Sequence, residues 1–118
     1  MKKVLVLGTG AQGTTTARRL DEEPGVGEII CADYNKAAVD ELVGSLKKAK
    51  GVQCDASNSE SIIECAQGVD LIVNALPLEF GKNVLDAALA VKANYQDFSS
   101  SNAFDEDLIM GWVRGMKY

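Results

Sequence analysis

The stretch Val4-Leu5-Val6-Leu7-Gly8-Thr9-Gly10-Ala11-Gln12-Gly13 decides how this chain is read. A short apolar run gives way to glycines spaced GxGxxG, at the junction of a buried strand and a helix. Gly8 lets the chain leave the strand in a tight turn. Gly10 has no side chain, so a pyrophosphate can approach the backbone, and Gly13 lets the helix lie close to the sheet. The first helical turn then offers free N–H groups and the positive end of its dipole to phosphates. Glycine-rich turns are common, so the motif gains force only with an acidic residue ending the next strand, about 20 residues on. Glu28-Ile29-Ile30-Cys31-Ala32-Asp33 supplies it.

Short apolar runs and helical stripes alternate from there on. Lys2–Leu7 reads as the first strand and Ala11–Glu22 as the first helix, stopped by Pro24-Gly25. Glu28–Ala32 is the second strand. Asn35 can cap a second helix whose stripe is Val39, Leu42, Val43 and Leu46, spaced i, i+3, i+4, i+7. Gly51–Cys54 is a third strand. Ser57-x-x-Glu60 suggests a capping box for a third helix carrying Ile62, Ile63 and Ala66. Asp70–Asn74 is a fourth strand, apolar enough to be buried on both faces. Phe80–Val91 is a fourth helix and Asn94–Phe98 a fifth strand. A fifth helix starts near Asn102 with Leu108, Ile109, Trp112, Val113 and Met116 along one face. Five strand–helix units in a row predict an α/β, Rossmann-type doubly wound parallel sheet in the order 3-2-1-4-5. A sixth strand would complete such a fold. The 118 residues hold one domain, so residues 1–118 are expected to be a piece of a longer two-domain protein.

Composition narrows the function classes. Hydrophobic residues make up 47% and charged residues 25%, as in soluble globular domains. The net charge of −5 repels nucleic acid and anionic membranes, so neither is expected as a partner. No run is long enough for a membrane span and no signal peptide is visible, which makes a cytoplasmic location the expectation. Cys31, Cys54 and Cys65 lack metal-ligand spacing and read as small buried hydrophobes in a reducing compartment. With no histidine in the chain, Ser-His and Cys-His nucleophiles and His metal sites are excluded. No metal site is expected, and no catalytic residue can be named.

Several loops at the strand ends could carry chemistry. Asp33 could accept hydrogen bonds from adenosine ribose hydroxyls and repel a 2′-phosphate, which favours NAD. Tyr34 follows where an NADP enzyme often has arginine, but Lys36 is near enough to keep NADP open. The plain alternative is an exposed aspartate at a strand end. Asp55 could accept from the adenine amine or cap the third helix. Asn74-Ala75-Leu76-Pro77 falls at the topological switch, where small Ala75 admits a ribose and Pro77 stiffens the loop; a simple connection is the alternative. Thr14 is a candidate phosphate contact. Asp97 and Ser99–Asn102 would lie near the nicotinamide end or cap a helix. The Trp112 stripe is wide enough to predict a homodimer, unless all of it packs on the sheet.

The chain resembles the N-terminal cofactor domain of saccharopine dehydrogenase-like oxidoreductases, including lysine dehydrogenases. Beyond the two dinucleotide blocks, the resemblance rests on Val52-Gln53-Cys54-Asp55-Ala56-Ser57, Leu71-Ile72-Val73-Asn74-Ala75-Leu76-Pro77 and Asn94-Tyr95-Gln96-Asp97-Phe98-Ser99. It implies an NAD(P)-dependent enzyme acting on an amino acid or a secondary amine formed from one, with hydride passing at the C–N carbon. It implies cofactor contacts at Gly8, Gly10, Ala11, Gln12, Gly13, Asp33, Asp55, Asn74, Ala75 and Pro77. It also implies a second domain that binds substrate and supplies most catalytic groups, so this chain alone is expected to be inactive. The competing reading is a regulatory nucleotide-sensing domain of the potassium-channel type. That class shares the fold and the glycines but does not usually carry Asn-Ala-Leu-Pro or the Tyr-x-Asp segment. A short-chain reductase would need a Tyr-x-x-x-Lys pair, and the residues after Tyr95 do not provide it.

Overall fold

A parallel sheet of five strands, in the order third, second, first, fourth, fifth along the chain, forms the middle layer, as the alternating pattern predicts. In this computed structural model residues 1–97 are described. The elements are β1 (Lys2–Leu7), α1 (Ala11–Asp21), β2 (Val26–Asp33), α2 (Lys36–Gly44), β3 (Ala49–Gln53), α3 (Ser59–Cys65), β4 (Leu71–Asn74), α4 (Gly81–Val91) and β5 (Asn94–Asp97). A short 3-10 turn, Leu78–Phe80, precedes α4. Phe98, Ser99–Asn102 and the predicted fifth helix with Trp112, on which the expected self-association rests, lie outside the described residues.

Period-two alternation divides the central strands between two cores. Val4, Val6, Ile29, Cys31, Leu71 and Val73 face α1 and α2, where Ala17, Leu20, Val39 and Leu42 meet them. Leu5, Leu7, Ile30, Ala32 and Ile72 face the other way, onto Ile62 of α3 and Val84, Ala87 and Ala88 of α4. From Val4 to Leu7 both faces of β1 are fully buried, which accounts for the unbroken apolar run. Each such Leu, Ile or Val stabilises the fold by about 1.5–3 kcal/mol through burial alone.

The register brings the strand ends level. Leu7 lies opposite Ala32 on one side and Asn74 on the other, and Asn74 lies opposite Asp97. The loops after β3, β2, β1 and β4 therefore emerge along one edge, in that spatial order.

Two details differ from the sequence reading. The capping box at Ser57 and Glu60 does not form. Asp55 Oδ1 accepts from both the Ser57 N–H and its hydroxyl, and Asn58 caps α3 by accepting from the Glu60 N–H. The Asx turn takes up Ser57 and leaves Asn58 as the first free acceptor. The strand bounds also shift, because β2 begins at Val26 and β3 at Ala49. Asn35 caps α2 as expected, accepting from the Ala38 N–H at 3.1 Å.

Asp21, at the end of α1, is almost fully buried. Its carboxylate accepts from the Lys47 and Lys48 N–H groups at 2.9–3.0 Å and so holds the loop into β3. Lys48 Nζ returns across the same junction to the Glu23 and Val26 carbonyls. Asp21→Ala would leave two backbone donors without their acceptor. Urea unfolding should show a loss of about 2–4 kcal/mol; a loss under about 1 kcal/mol would mean that water replaces the carboxylate freely.

Candidate dinucleotide cleft

A cleft of about 620 Å³ opens along the level strand ends. Its floor is the Gly8–Gly10 turn. Asp33 at the end of β2, Tyr34 after it and Asp55–Ser57 after β3 line one side, and Ala75–Pro77 after β4 with Phe80 line the other.

The three glycines do three different things. Gly8 has φ +104°, and a Cβ there would lie 2.8 Å from the Ala75 carbonyl oxygen. Its N–H continues the ladder to the Ala32 carbonyl at 2.8 Å, so the turn begins at the last strand bond. A Cβ on Gly13 would lie 2.1 Å from the Gly8 carbonyl oxygen, closer than any side chain tolerates. Gly8 and Gly13 are thus required by the fold itself. Gly10 is not, because a Cβ there would meet nothing within 4 Å. It lines the cleft and forms the N-cap of α1, with no side-chain cap and no acidic residue in the first turn. The N–H groups of that turn have no partner within the helix. An uncapped helix start beside open space at Gly10 fits the phosphates of a dinucleotide.

Asp33 is not a bare strand-end carboxylate. Its Oδ2 accepts from both the Thr9 N–H and the Thr9 hydroxyl at 2.8 Å, and its Oδ1 accepts from the Asn35 N–H at 3.3 Å. The acidic residue therefore also ties the glycine turn to β2. A carboxylate has about four acceptor directions, so Asp33 retains capacity for a ribose hydroxyl. Thr9 was invisible to the sequence reading because the motif leaves that position unspecified. Thr14 does not reach the cleft; its hydroxyl donates to the Thr9 carbonyl at 3.1 Å.

Asp55, exposed on the far wall, is held below its ordinary value by the Ser57 hydroxyl and N–H. That loop is braced from α4, where Asn83 Nδ2 donates to the Ala56 carbonyl at 3.0 Å. Among the predicted contacts, Gly8, Gly10, Asp33, Asp55, Ala75 and Pro77 line the cleft together. Ala11 and Gln12 are exposed in the first turn of α1, and Gly13 is buried beneath the turn. Asn74 is buried behind its loop. Lys36 does not line the cleft and is paired with Asp40 on α2. Cys54 is buried at the cleft wall, its thiol pushed down by a hydrogen bond with Cys65. Cys31 sits in the opposite core, where burial pushes its thiol up to about 11. Among the described residues no cluster of carboxylates and thiols could hold a metal ion, and no helix is long and apolar enough to cross a membrane.

Parallel order 3-2-1-4-5 with an open glycine turn at its centre defines a Rossmann-type NAD(P)-binding domain. Residues 4–109 match the family described as saccharopine dehydrogenase NADP binding domain, and the chain belongs to that family. Solved structures agree on the fold. Saccharopine dehydrogenase (L-Glu forming) from Saccharomyces cerevisiae superposes with a TM-score of 0.77 at 19% identity, over 92% of this chain and 24% of that one. A Rossmann-fold NAD(P)-binding family protein from Shigella flexneri gives 0.69 at 19% identity, over 80% and 50%. An NADPH-dependent quinone oxidoreductase from Escherichia coli, solved with NADPH, gives 0.66 at 21% identity, over 76% and 34%. The chain thus spans about a quarter of the yeast enzyme's length.

The glycine geometry separates two substitutions that look alike. Gly10→Val should fold with a loss of no more than about 1 kcal/mol, yet lose NAD(H) binding in calorimetry. Gly13→Val should lose at least about 3 kcal/mol, since a backbone carbonyl cannot move aside. Equal stability losses, or NAD binding by Gly10→Val, would contradict these roles.

Proposed function

We propose that this chain is the cofactor domain of an NAD-dependent dehydrogenase acting on an amino acid or a secondary amine derived from one. The observation that carries the cofactor choice is the charge of the cleft. Among the described residues its lining includes the carboxylates Asp33 and Asp55 and no lysine or arginine. A 2′-phosphate beside Asp33 would meet like charge and no cation among the described residues that line the cleft. Ribose hydroxyls would instead find an acceptor already oriented by Thr9 and Asn35. The family's description names NADP, so the preference for NAD is a property proposed for this member.

In this reading Gly10 and the first turn of α1 bind the pyrophosphate through backbone N–H groups. Asp33 binds the adenosine ribose, and Asp55 lies toward the adenine. Ala75 and Pro77 shape the side that receives the nicotinamide half. The nicotinamide supplies a hydride acceptor or donor for the substrate's C–N carbon. Family membership supports an oxidoreductase over a nucleotide-sensing regulatory module. Since the chain spans so little of the yeast enzyme, substrate binding and proton transfer are assigned to residues of a further domain.

Calorimetry should show NAD binding at least about tenfold tighter than NADP, a difference of about 1.4 kcal/mol. Asp33→Ser should weaken NAD and narrow that ratio. Tighter binding of NADP by the unaltered protein would overturn the assignment and leave only the family's general NAD(P) function.

A further inference from the structure

Behind the Asn74–Pro77 loop lies a directional chain of hydrogen bonds that the glycine motif does not account for. Asn74, the last residue of β4, is 4% exposed. Its Nδ2 donates to the Tyr95 hydroxyl on β5 at 3.2 Å, and its Oδ1 accepts from the Leu76 N–H at 3.0 Å. The Tyr95 hydroxyl donates to Asp97 Oδ2 at 2.8 Å. The register places these three side chains on one face, since Tyr95 lies opposite Ile72 and Asp97 opposite Asn74.

The order of donors is forced. A carboxylate only accepts, so the single phenolic proton goes to Asp97. Toward Asn74 the hydroxyl can then only accept, so Asn74 must present its NH₂ group to Tyr95. Its carbonyl is thereby turned to the Leu76 N–H. Burial pushes the Tyr95 phenol above its ordinary range, so the proton that sets this order stays in place at neutral pH. The far end of the chain reaches the cleft. Ala75 donates to the Leu7 carbonyl at 2.9 Å, and its own carbonyl oxygen lies 2.8 Å from where a Cβ on Gly8 would fall.

We infer that Tyr95 is a positioning residue for the nicotinamide half of the dinucleotide, acting through Asn74 to set the backbone of Ala75-Leu76-Pro77 against the Gly8 turn. The inference rests on the dinucleotide reading of the cleft and deepens it. Tyr95 does not line the cleft, and it acts only through the loop. Tyr95→Phe removes the acceptor for Asn74, releases the amide to rotate and frees the Leu76 N–H. The adenosine side, built from β2 and β3, keeps all its bonds.

The test compares NADH and AMP binding by the unaltered chain and by Tyr95→Phe, with amide hydrogen exchange at Leu76 measured without nucleotide. Tyr95→Phe is expected to weaken NADH about tenfold, to leave AMP within about twofold, and to speed exchange at Leu76. A variant that binds NADH like the unaltered chain, or weakens NADH and AMP equally, overturns the inference. If Tyr95→Phe does not fold, Asp97→Ala removes the terminal acceptor, and the same split between NADH and AMP is expected. Failure of the unaltered chain to bind NADH would defeat the dinucleotide reading itself. Binding by the unaltered chain without the split defeats only the role of Tyr95.

Discussion

The Gly8 carbonyl leaves no room for a side chain on Gly13, and most of the cleft follows from that contact. Because α1 can settle directly on the turn, its first residues point along the strand ends and not away from the sheet. The turn in turn needs the left-handed φ of Gly8, and the Ala75 carbonyl presses on it from β4. The closest contacts at the ends of the central pair of strands are therefore backbone on backbone. Such a contact is stiff, since neither partner has a rotamer to change. It leaves Gly10 as the one position of the motif whose missing side chain serves no internal packing.

Polar bonds fasten the neighbouring loops to this centre. Asp33 grips Thr9 from β2, and Asn74 grips Leu76 on the β4 side. Asn83 reaches from α4 to the β3 loop. The carboxylate of the dinucleotide motif thus has a structural duty before any ligand arrives. It holds the glycine turn at a fixed distance from the strand whose end would carry the adenosine. Preorganisation of this kind lowers the ordering cost of binding a long, flexible ligand.

The fold was legible because its signals are local. The buried run of β1, the alternation of Ile29 and Cys31 with Ile30 and Ala32, and the cap at Asn35 each depend on adjacent residues. The glycine motif was legible because each glycine answers a steric need of the chain. Less of the fastening could be read. Thr9 occupies an unspecified position, and its partner is 24 residues away. No sequence pattern marks Asp21 as the residue that organises the loop into β3. Ser57 and Glu60 matched a capping pattern that Asp55 pre-empts by taking the serine itself. Tyr95 was conspicuous as part of a segment, but its bond to Asn74 depends on β5 lying beside β4. Long-range polar pairs leave no periodic trace, so sequence patterns find the layers and the glycines and miss the bonds between loops.

Amide NMR during a titration with NAD tests the central claim most directly. The account predicts saturable shifts at Gly8–Gly13, Asp33, Tyr34 and Ala75, with the β1–β2 core residues Val4 and Ile29 unmoved. Shifts absent from the Gly8–Gly13 turn, or centred on the opposite ends of the strands near Glu28 and Asp70, would contradict it.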